Sequence, residues 1–263
     1  MRRSPNTTRN YLTEMARQAP VRDVAPTVQR LRLRYAKRGR LRFSSHRDFQ
    51  RALERALRRA EIPMAFSAGF SPHPKVSYAN SAPTGVASEA EYVEIGVTER
   101  CDPAAVRAAL DEALPPGLDI VEVVEANTPD FVQRLEASIW QIELPGLGVA
   151  EVEIAAQKLM AQGEVMVERL TKNGVRTFDA RGPVVSLVVE SGPECAILMA
   201  VVRHATPSVR PDDVLTALRQ VVDLVPPAPP RVTRLAQGPL DPVGATVGDP
   251  FTPDRAPLAA AKT

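Results

Sequence analysis

Apolar residues change their spacing in a fixed order along the chain, and few folds are compatible with that order. Residues 30–37, RLRLRYAK, alternate apolar and basic side chains, which predicts a half-buried strand with a basic outer face. Residues 46–61, HRDFQRALERALRRAE, repeat apolar side chains every three or four positions, which predicts an amphipathic helix. Two strands, a helix and a further strand follow, over residues 75–81, 89–97, 103–114 and 118–126. The resulting β-α-β-β-α-β order predicts a ferredoxin-like unit.

The second half of the chain repeats this order and adds one strand. A strand over residues 137–145 precedes a helix over 149–161, and residues 164–181 supply the extra strand around a Lys-Asn-Gly turn. An apolar hairpin, a helix and a final strand complete the order, over residues 183–203, 211–224 and 231–236. The repetition predicts two units of the same kind in tandem.

Both ends of the chain lack such periodicity. Residues 1–27 are polar and contain few regularly spaced apolar side chains, which predicts a flexible arm. Residues 238–263 are rich in Pro, Ala and Gly, which predicts a disordered tail. We therefore predict an α+β protein with ferredoxin-like units at residues 28–126 and 137–237, between this arm and this tail.

Composition restricts the cellular setting and the cofactors. No apolar run approaches the ~18 residues that a membrane-spanning helix needs, and the N-terminal residues lack the apolar stretch of a signal peptide. We therefore expect a cytoplasmic protein without a membrane partner. The two cysteines, Cys101 and Cys195, are far apart and have no neighbouring Cys or His at a metal-binding spacing. We expect no metal and no cofactor bound by this chain alone.

Charge is concentrated in one segment, although the whole chain has a net charge of only +2. Residues 30–75 contain 13 Lys and Arg but only 3 Asp and Glu. Such an excess favours either a phosphate backbone or an acidic protein as the partner. The first predicted helix contributes several of these cations on the side opposite its apolar stripe, namely Arg47, Arg51, Arg55, Arg58 and Arg59. Planar guanidinium groups bind phosphates bidentately, so we predict nucleic-acid binding by Arg47, Arg51, Arg55 and Arg58 together with Lys75.

Two histidines near this helix are candidate functional residues. His46 lies in its first turn, after the predicted cap Ser45, and His73 lies between two prolines in the loop FSAGFSPHPKVSYA, residues 66–79. Three interpretations remain open: the histidines only shape these turns, they bind a ligand or phosphate, or they act as general acid and base on an RNA 2′-hydroxyl. Metal binding is weakly indicated, because no third ligand stands at a recognisable spacing.

Four dense motifs in this region resemble a known family, the radical SAM-linked proteins. They are G-x-L-R-F-x-S-H-x-D, R-A-x-R-R-A-x-x-P, S-x-G-F-x-P-H-P and G-x-x-S-x-x-E-Y, at residues 39–48, 55–63, 67–74 and 85–92. Arg47 stands where the family usually has leucine, which leaves His46 and Asp48 in place. The resemblance implies association with a radical SAM enzyme, although this chain lacks the three-cysteine cluster motif.

The motif residues also suggest a loop and cleft beside the helix. Gly69 and Gly85 fit either turns or close approach of a phosphate to the backbone. The predicted loop and cleft residues are Ser45, Asp48, Ser67, Gly69, Phe70, Pro72, His73, Pro74, Gly85, Ser88, Glu91 and Tyr92.

The leading functional hypothesis is a non-catalytic accessory protein. It would bind RNA, such as tRNA or rRNA, or present a substrate to a radical SAM enzyme. One alternative is a metal-independent endoribonuclease that uses His46 and His73. Another is an adaptor whose basic helix binds an acidic protein partner.

Overall fold

The computed structural model describes residues 24–172 and 174–255, and the following strands and helices lie within these ranges. The strands, numbered β1 to β12, are Gln29–Lys37, Val76–Ala79, Ala87–Val97, Ile120–Glu125, Ala137–Pro145, Met166–Thr171, Gly174–Asp179, Val184–Gly192, Cys195–Arg203, Arg231–Gly238, Leu240–Asp241 and Thr246–Val247. The α-helices, numbered α1 to α5, are His46–Arg59, Pro103–Ala113, Val149–Met160, Pro211–Val222 and Thr252–Arg255. None of these helices has the length and apolar character required to cross a membrane.

One mixed sheet runs through the whole molecule in the order β4-β1-β3-β10-β5-β9-β8, and β2 pairs with β3. The first half contributes β1 to β4, and the second half contributes β5, β8, β9 and β10. In each half, the fourth of these strands lies beside the first and the second lies beside the third. The β6-β7 hairpin forms a separate two-stranded sheet between α3 and β8. The predicted α+β class is confirmed, whereas the assignment to two ferredoxin-like units stays a prediction.

The two halves meet through a short parallel pairing of β3 with β10. Ala87 is opposite Thr233 and Ser88 is opposite Arg234. Because β10 also pairs along its length with β5, the first half and the second half share one continuous sheet. The connecting residues 127–136 are thus not the only link between the halves.

The helix α1 forms where the sequence predicts it, and its first turn shows why. Ser45 Oγ accepts a hydrogen bond from the backbone N–H of Asp48 at 3.2 Å, and the Asp48 carboxylate accepts one from the backbone N–H of Ser45 at 3.1 Å. This reciprocal pair is a capping box that satisfies two amide groups the helix cannot pair internally. The apolar stripe of α1 packs on the sheet through Phe49, Leu53, Ala56 and Leu57, which are buried.

The C-terminal prediction is wrong for residues 238–255. Strands β11 and β12 pair there, and α5 follows them. The Phe251 ring is buried against Tyr92 and Phe131, with ring centroids 5.3 and 5.6 Å away. A single aromatic residue in a Pro- and Gly-rich segment gives no periodic signal, yet its burial anchors the segment. Residues 256–263 of the predicted tail and residues 1–23 of the predicted arm lie outside the described residues.

The basic outer face predicted for β1 is also wrong, because acidic residues cover it. Arg32 is buried and makes ion pairs with Glu94 at 3.0 Å and with Asp254 at 2.6 Å. Arg34 pairs with Glu122 at 3.3 Å. The acids come from β3, β4 and α5, so the arginines of β1 are used within the fold and do not form an open cationic surface.

Candidate nucleic-acid interface

Four arginines on α1 form the exposed cationic surface that the sequence predicts. We call Arg47, Arg51, Arg55 and Arg58 the arginine row. At 3.6 residues per turn the four positions fall within about 80° of the helix circumference. All four side chains are exposed, and no salt bridge within residues 24–172 and 174–255 includes any of them. The arginine row is therefore available to an external anion.

The helix also carries two acidic residues, Asp48 and Glu54, and neither forms a salt bridge with the row in the described chain. Asp48 is engaged in the capping box with Ser45, and hydrogen bonds from Ser45, assisted by Arg51 and Arg47, lower the pKa of its carboxyl group. Glu54 is half-buried near Tyr78, falls about 20° outside the arc of the row and lines a hollow together with Arg58. Arg59, which the sequence places near the row, points toward α2 and donates to the Ala113 carbonyl at 3.4 Å.

His46 lies at the N-terminal end of α1, where both ring nitrogens have neighbours. Its Nδ1 lies 3.1 Å from Ser81 Oγ, and its Nε2 lies 3.0 Å from the side-chain nitrogen of Gln50. The ring meets the Tyr78 ring edge-on, with centroids 4.8 Å apart. Burial, with Glu54 nearby, raises the pKa of Tyr78 to about 12, so this phenol does not ionise at neutral pH. These contacts hold His46 in place.

His73 closes the loop in which it lies. Its backbone N–H donates to Ser67 Oγ at 3.1 Å, its carbonyl accepts from the Ser67 N–H at 2.9 Å, and its Nδ1 lies 2.9 Å from Ser67 Oγ. Gly69, with φ +153°, and the exposed Phe70 lie at the turn between these two residues. Of the two prolines that flank His73, Pro72 is exposed and Pro74 is half-buried. Three contacts between two residues therefore fix the shape of a seven-residue loop.

The contacts place His46 and His73 at opposite ends of α1. His46 is the first residue of the helix, whereas Pro74, next to His73, lines a hollow with Leu57 and Arg58 near the last turn. Twelve residues of helix span about 18 Å. Proton-transfer partners need hydrogen-bond reach or one bridging water, and no hydrogen bond or ring contact in the described chain joins these two histidines.

Lys75 lies apart from the arginine row, contrary to the sequence-based grouping. Val76 and Tyr78 pack into the core beneath α1, and side chains alternate between the two faces of a strand. Lys75 directly precedes β2, so its side chain is on the face of the sheet opposite Val76, where its Nζ donates to Thr27 Oγ1 at 3.0 Å. The register of β2 on β3, which the sequence alone did not give, decides this position.

Three predicted cleft residues are buried in the junction between the two halves. Glu91 pairs with Arg234 and accepts a hydrogen bond from the Ala82 N–H at 3.0 Å. Ser88 Oγ accepts from Arg234 Nε at 3.4 Å, and Tyr92 packs against the buried ring of Phe251. These residues stabilise the fold and do not line an open cleft. Gly85, which precedes them, occupies a turn with φ +91°.

Arg234 is a structural residue that the sequence pattern does not indicate. Its guanidinium group is buried, donates to the Asn80 carbonyl at 2.7 Å and lies 5.1 Å from the Trp140 ring centroid. In the strand sequence RVTRLA, residues 231–236, nothing distinguishes this arginine from a polar residue on the solvent-facing side of a strand. Its acidic partner Glu91 lies 143 positions away, and no local pattern joins two such positions.

His204, which the sequence places simply at a strand end, has hydrogen bonds that fix the tautomer of its neutral ring. Its Nδ1 donates to the Leu135 carbonyl at 2.6 Å, so its Nε2 accepts from Ser138 Oγ at 2.8 Å. Burial, with Arg234 nearby, lowers the pKa of the His204 imidazole. Ser138 is fully buried, so its hydroxyl is not open to a substrate, and its hydrogen bond with His204 stabilises the end of β9.

A cavity of about 650 Å³ lies away from the arginine row. Its lining includes Arg30, Arg32, Ser77, Glu94 and Phe131. Both arginines there already pair with Glu94, and Arg32 also pairs with Asp254. The positive charges of these two arginines are therefore balanced by carboxylates, unlike those of the arginine row on α1.

Comparison with known proteins gives a family and no curated relative. No curated protein matches the chain. A family described as "Uncharacterized protein conserved in bacteria (DUF2344)" matches residues 30–211, which include α1, the His73 loop and most of the second half. This match covers more than half of the 263 residues. The chain therefore belongs to the DUF2344 family of proteins conserved in bacteria.

Proposed function

We propose that this protein binds RNA through the arginine row of α1 and acts as an accessory protein without catalysis of its own. The observation that carries the proposal is the row itself, in which four exposed guanidinium groups have no carboxylate partner among the described residues. Other arginines of the fold, such as Arg32, Arg134 and Arg234, are paired and partly or fully buried. Unpaired, planar guanidinium groups suit phosphates.

The proposed partner is a radical SAM enzyme, and this part rests on the resemblance of residues 39–48 and 67–74 to the radical SAM-linked proteins. The chain has only Cys101 and Cys195, and these lie in different halves. The iron–sulfur cluster of such an enzyme would therefore belong to the partner. In this arrangement the protein would hold RNA, such as tRNA or rRNA, while the partner performs the chemistry.

Salt dependence of binding tests the proposal. Counterion release gives a log–log slope of about −0.7 per phosphate contact on a single strand, so four contacts give a slope of about −2.8. Affinity should then fall roughly 50-fold between about 50 and 200 mM salt. The measurement is fluorescence anisotropy of a labelled RNA of about twenty nucleotides, titrated at several salt concentrations. An affinity that does not change with salt contradicts the proposal.

Charge-reversed variants locate the interaction on α1. Arg51→Glu/Arg55→Glu should halve the slope to about −1.4, because two phosphate contacts are lost. Arg176→Glu/Arg219→Glu is the matched control, since both residues are exposed, make no salt bridge in the described chain and lie in the second half. Equal weakening by both double variants means that binding follows total charge and not the arginine row.

Purification from the native host separates the two alternatives. RNA that copurifies with the wild type and not with Arg51→Glu/Arg55→Glu supports the proposal and identifies the RNA class. A protein that remains bound after nuclease treatment supports the adaptor alternative. Cleavage of RNA by the wild type, lost in His73→Ala with binding retained, supports the endoribonuclease alternative, which the separation of His46 and His73 does not favour.

A further inference from the structure

The exposed phenylalanines of this protein lie directly before α1 or in the loop that follows it. The chain contains seven phenylalanines, and four of them are buried. The other three are Phe43 at 60% exposure, Phe66 at 43% and Phe70 at 63%. Exposed aromatic rings grouped around one helix are unusual, because burial of such a ring is favourable and the rest of this chain achieves it.

Phe43 lies at the N-terminal end of α1. It ends the 3-10 turn Gly39–Phe43, two residues before the cap Ser45. The Arg42 guanidinium group lies over its ring, 4.8 Å from the centroid. The ring is nevertheless 60% exposed, so part of it is accessible to a base.

Phe66 lies at the other end of α1, at the base of the loop that carries Phe70. Phe66 pairs through its backbone with Pro74 and borders a hollow of about 130 Å³ beside Leu57 and Arg58. Phe70 stands at the turn of the loop that the three Ser67–His73 contacts close. Because those contacts fix the loop, its exposed ring is held in position before any partner arrives, which lowers the entropy lost on binding.

We propose that Phe43 and Phe70 stack on unpaired bases at the two ends of the arginine row, so that the ligand is single-stranded RNA. The proposal rests on the proposed function and adds the class of RNA. A helix of fourteen residues is about 21 Å long, so the rings flank a cationic surface that can follow several phosphates. Proteins that bind single strands combine a cationic path with aromatic rings in this way, because every base has a face on which a ring can stack.

The charge of the surrounding surface favours RNA over a protein partner. The two rings are joined by the arginine row, and no salt bridge of the described residues neutralises it. A repeated phosphate backbone satisfies successive guanidinium groups and presents a base beside each phosphate. The phosphates of duplex RNA can bind the arginines equally well. The bases of a duplex are stacked on each other, however, so they are not free to stack on the phenylalanine rings.

The test compares single-stranded and duplex RNA of the same sequence, with a twelve-nucleotide strand and its perfectly paired duplex as probes. Phe43→Ala and Phe70→Ala should each weaken single-strand binding about 5- to 150-fold, which corresponds to about 1–3 kcal/mol per stacked base. Both variants should change duplex binding less than about twofold and leave the salt slope unchanged, because the phosphate contacts persist. Both residues are exposed, so urea unfolding should show unaltered stability.

Two further variants separate stacking from general apolar contact. Phe70→Trp should retain single-strand affinity, whereas Phe70→Leu should lose it, because leucine keeps an apolar surface but has no ring. Leu170→Ala is the matched control, since Leu170 is exposed on β6 in the other half of the chain. If Phe70→Leu binds as tightly as the wild type, the rings dock by apolar contact and the stacking proposal is wrong.

The outcomes distinguish this proposal from the proposed function. If the wild type binds neither probe, RNA binding itself is wrong and this inference falls with it. If both probes bind equally well and the alanine variants do not weaken binding, the RNA function stands and only the stacking proposal is refuted. Retention of a protein partner that is lost in Phe43→Ala and Phe70→Ala, with no RNA bound, assigns the rings to a protein interface and refutes both.

Discussion

Replacement of Asp254 tests whether the C-terminal segment is part of the fold, as its contacts indicate. The Asp254 side chain has no exposed surface and lies 2.6 Å from Arg32 Nη1 and 3.0 Å from Arg134 Nη1. It also accepts hydrogen bonds from the Thr128 hydroxyl at 2.6 Å and from the backbone N–H groups of Asn127 and Thr128 at 3.1 and 3.0 Å. One carboxylate thus joins α5 to β1 and to the segment after β4.

The expected loss follows from the charges that the substitution leaves behind. Asp254→Ala removes the anion and leaves the Arg32 side chain, only 5% exposed, with Glu94 as its remaining carboxylate partner. Removing one member of a buried ion pair costs about 3–5 kcal/mol of unfolding free energy. For a chain of this size, that corresponds to a fall of about 6–20 °C in Tm.

Urea unfolding and differential scanning calorimetry measure this loss. Asp254→Asn should be less harmful than Asp254→Ala, because the amide oxygen still accepts hydrogen bonds from the backbone of residues 127–128. Glu153→Ala is the control, since Glu153 is exposed on α3 and should change stability by less than about 0.5 kcal/mol. A loss below about 1 kcal/mol for Asp254→Ala contradicts an ordered segment held by this carboxylate.

The same carboxylate gives a dependence on pH. Burial alone raises the pKa of Asp254, but hydrogen bonds from Thr128, Arg32 and Arg134 together lower it below its usual value. Because the folded-state pKa lies below that of the unfolded chain, the stabilisation is complete above the unfolded pKa and is lost as pH falls through the folded one. Below pH 4, the wild type should therefore lose more stability than Asp254→Ala does.

Two other predictions concern stability. His204 has a pKa lowered by burial, so the unfolded chain binds a proton that the folded chain resists, and the wild type should lose stability as pH falls from about 7 to 5. In His204→Gln, the urea midpoint should change less with pH over this range than in the wild type. An equal pH dependence of the midpoint in both proteins contradicts the lowered pKa of His204. Ser45→Ala should cost about 1 kcal/mol of unfolding free energy, because the Asp48 N–H loses its acceptor, and an unchanged urea midpoint argues against the capping box.

Features that depend on neighbouring residues were predictable from the sequence. The cap at Ser45 and the apolar stripe of α1 depend only on residues a few positions apart, and both predictions are confirmed. The exposure of the arginine row follows from the same spacing, since the opposite side of the helix must be buried. Whether the row binds RNA stays a prediction.

Features that depend on distant partners were not predictable. Asp254 joins Arg32 across 222 positions, so the composition of the tail suggested disorder where one carboxylate and the Phe251 ring produce order. The sequence groups Lys75 with the arginine row, but the register of β2 places it on the other face of the sheet. The exposure of Phe43 likewise depends on the absence of packing, which a local pattern does not reveal.

The pairing of β3 with β10 has a consequence for biosynthesis. A ribosome releases β3 long before β10, because the chain must reach residue 238 before the joining strand is complete. Until then Glu91 lacks its partner Arg234, and part of the β3 edge stays unpaired. The Glu91 carboxylate of the first half therefore gains its ion-pair partner only when the second half is complete. Because Arg234 belongs to the second half, neither half expressed alone contains both members of this pair. During synthesis, the first half of the sheet therefore gains its last neighbouring strand only when the second half is nearly complete.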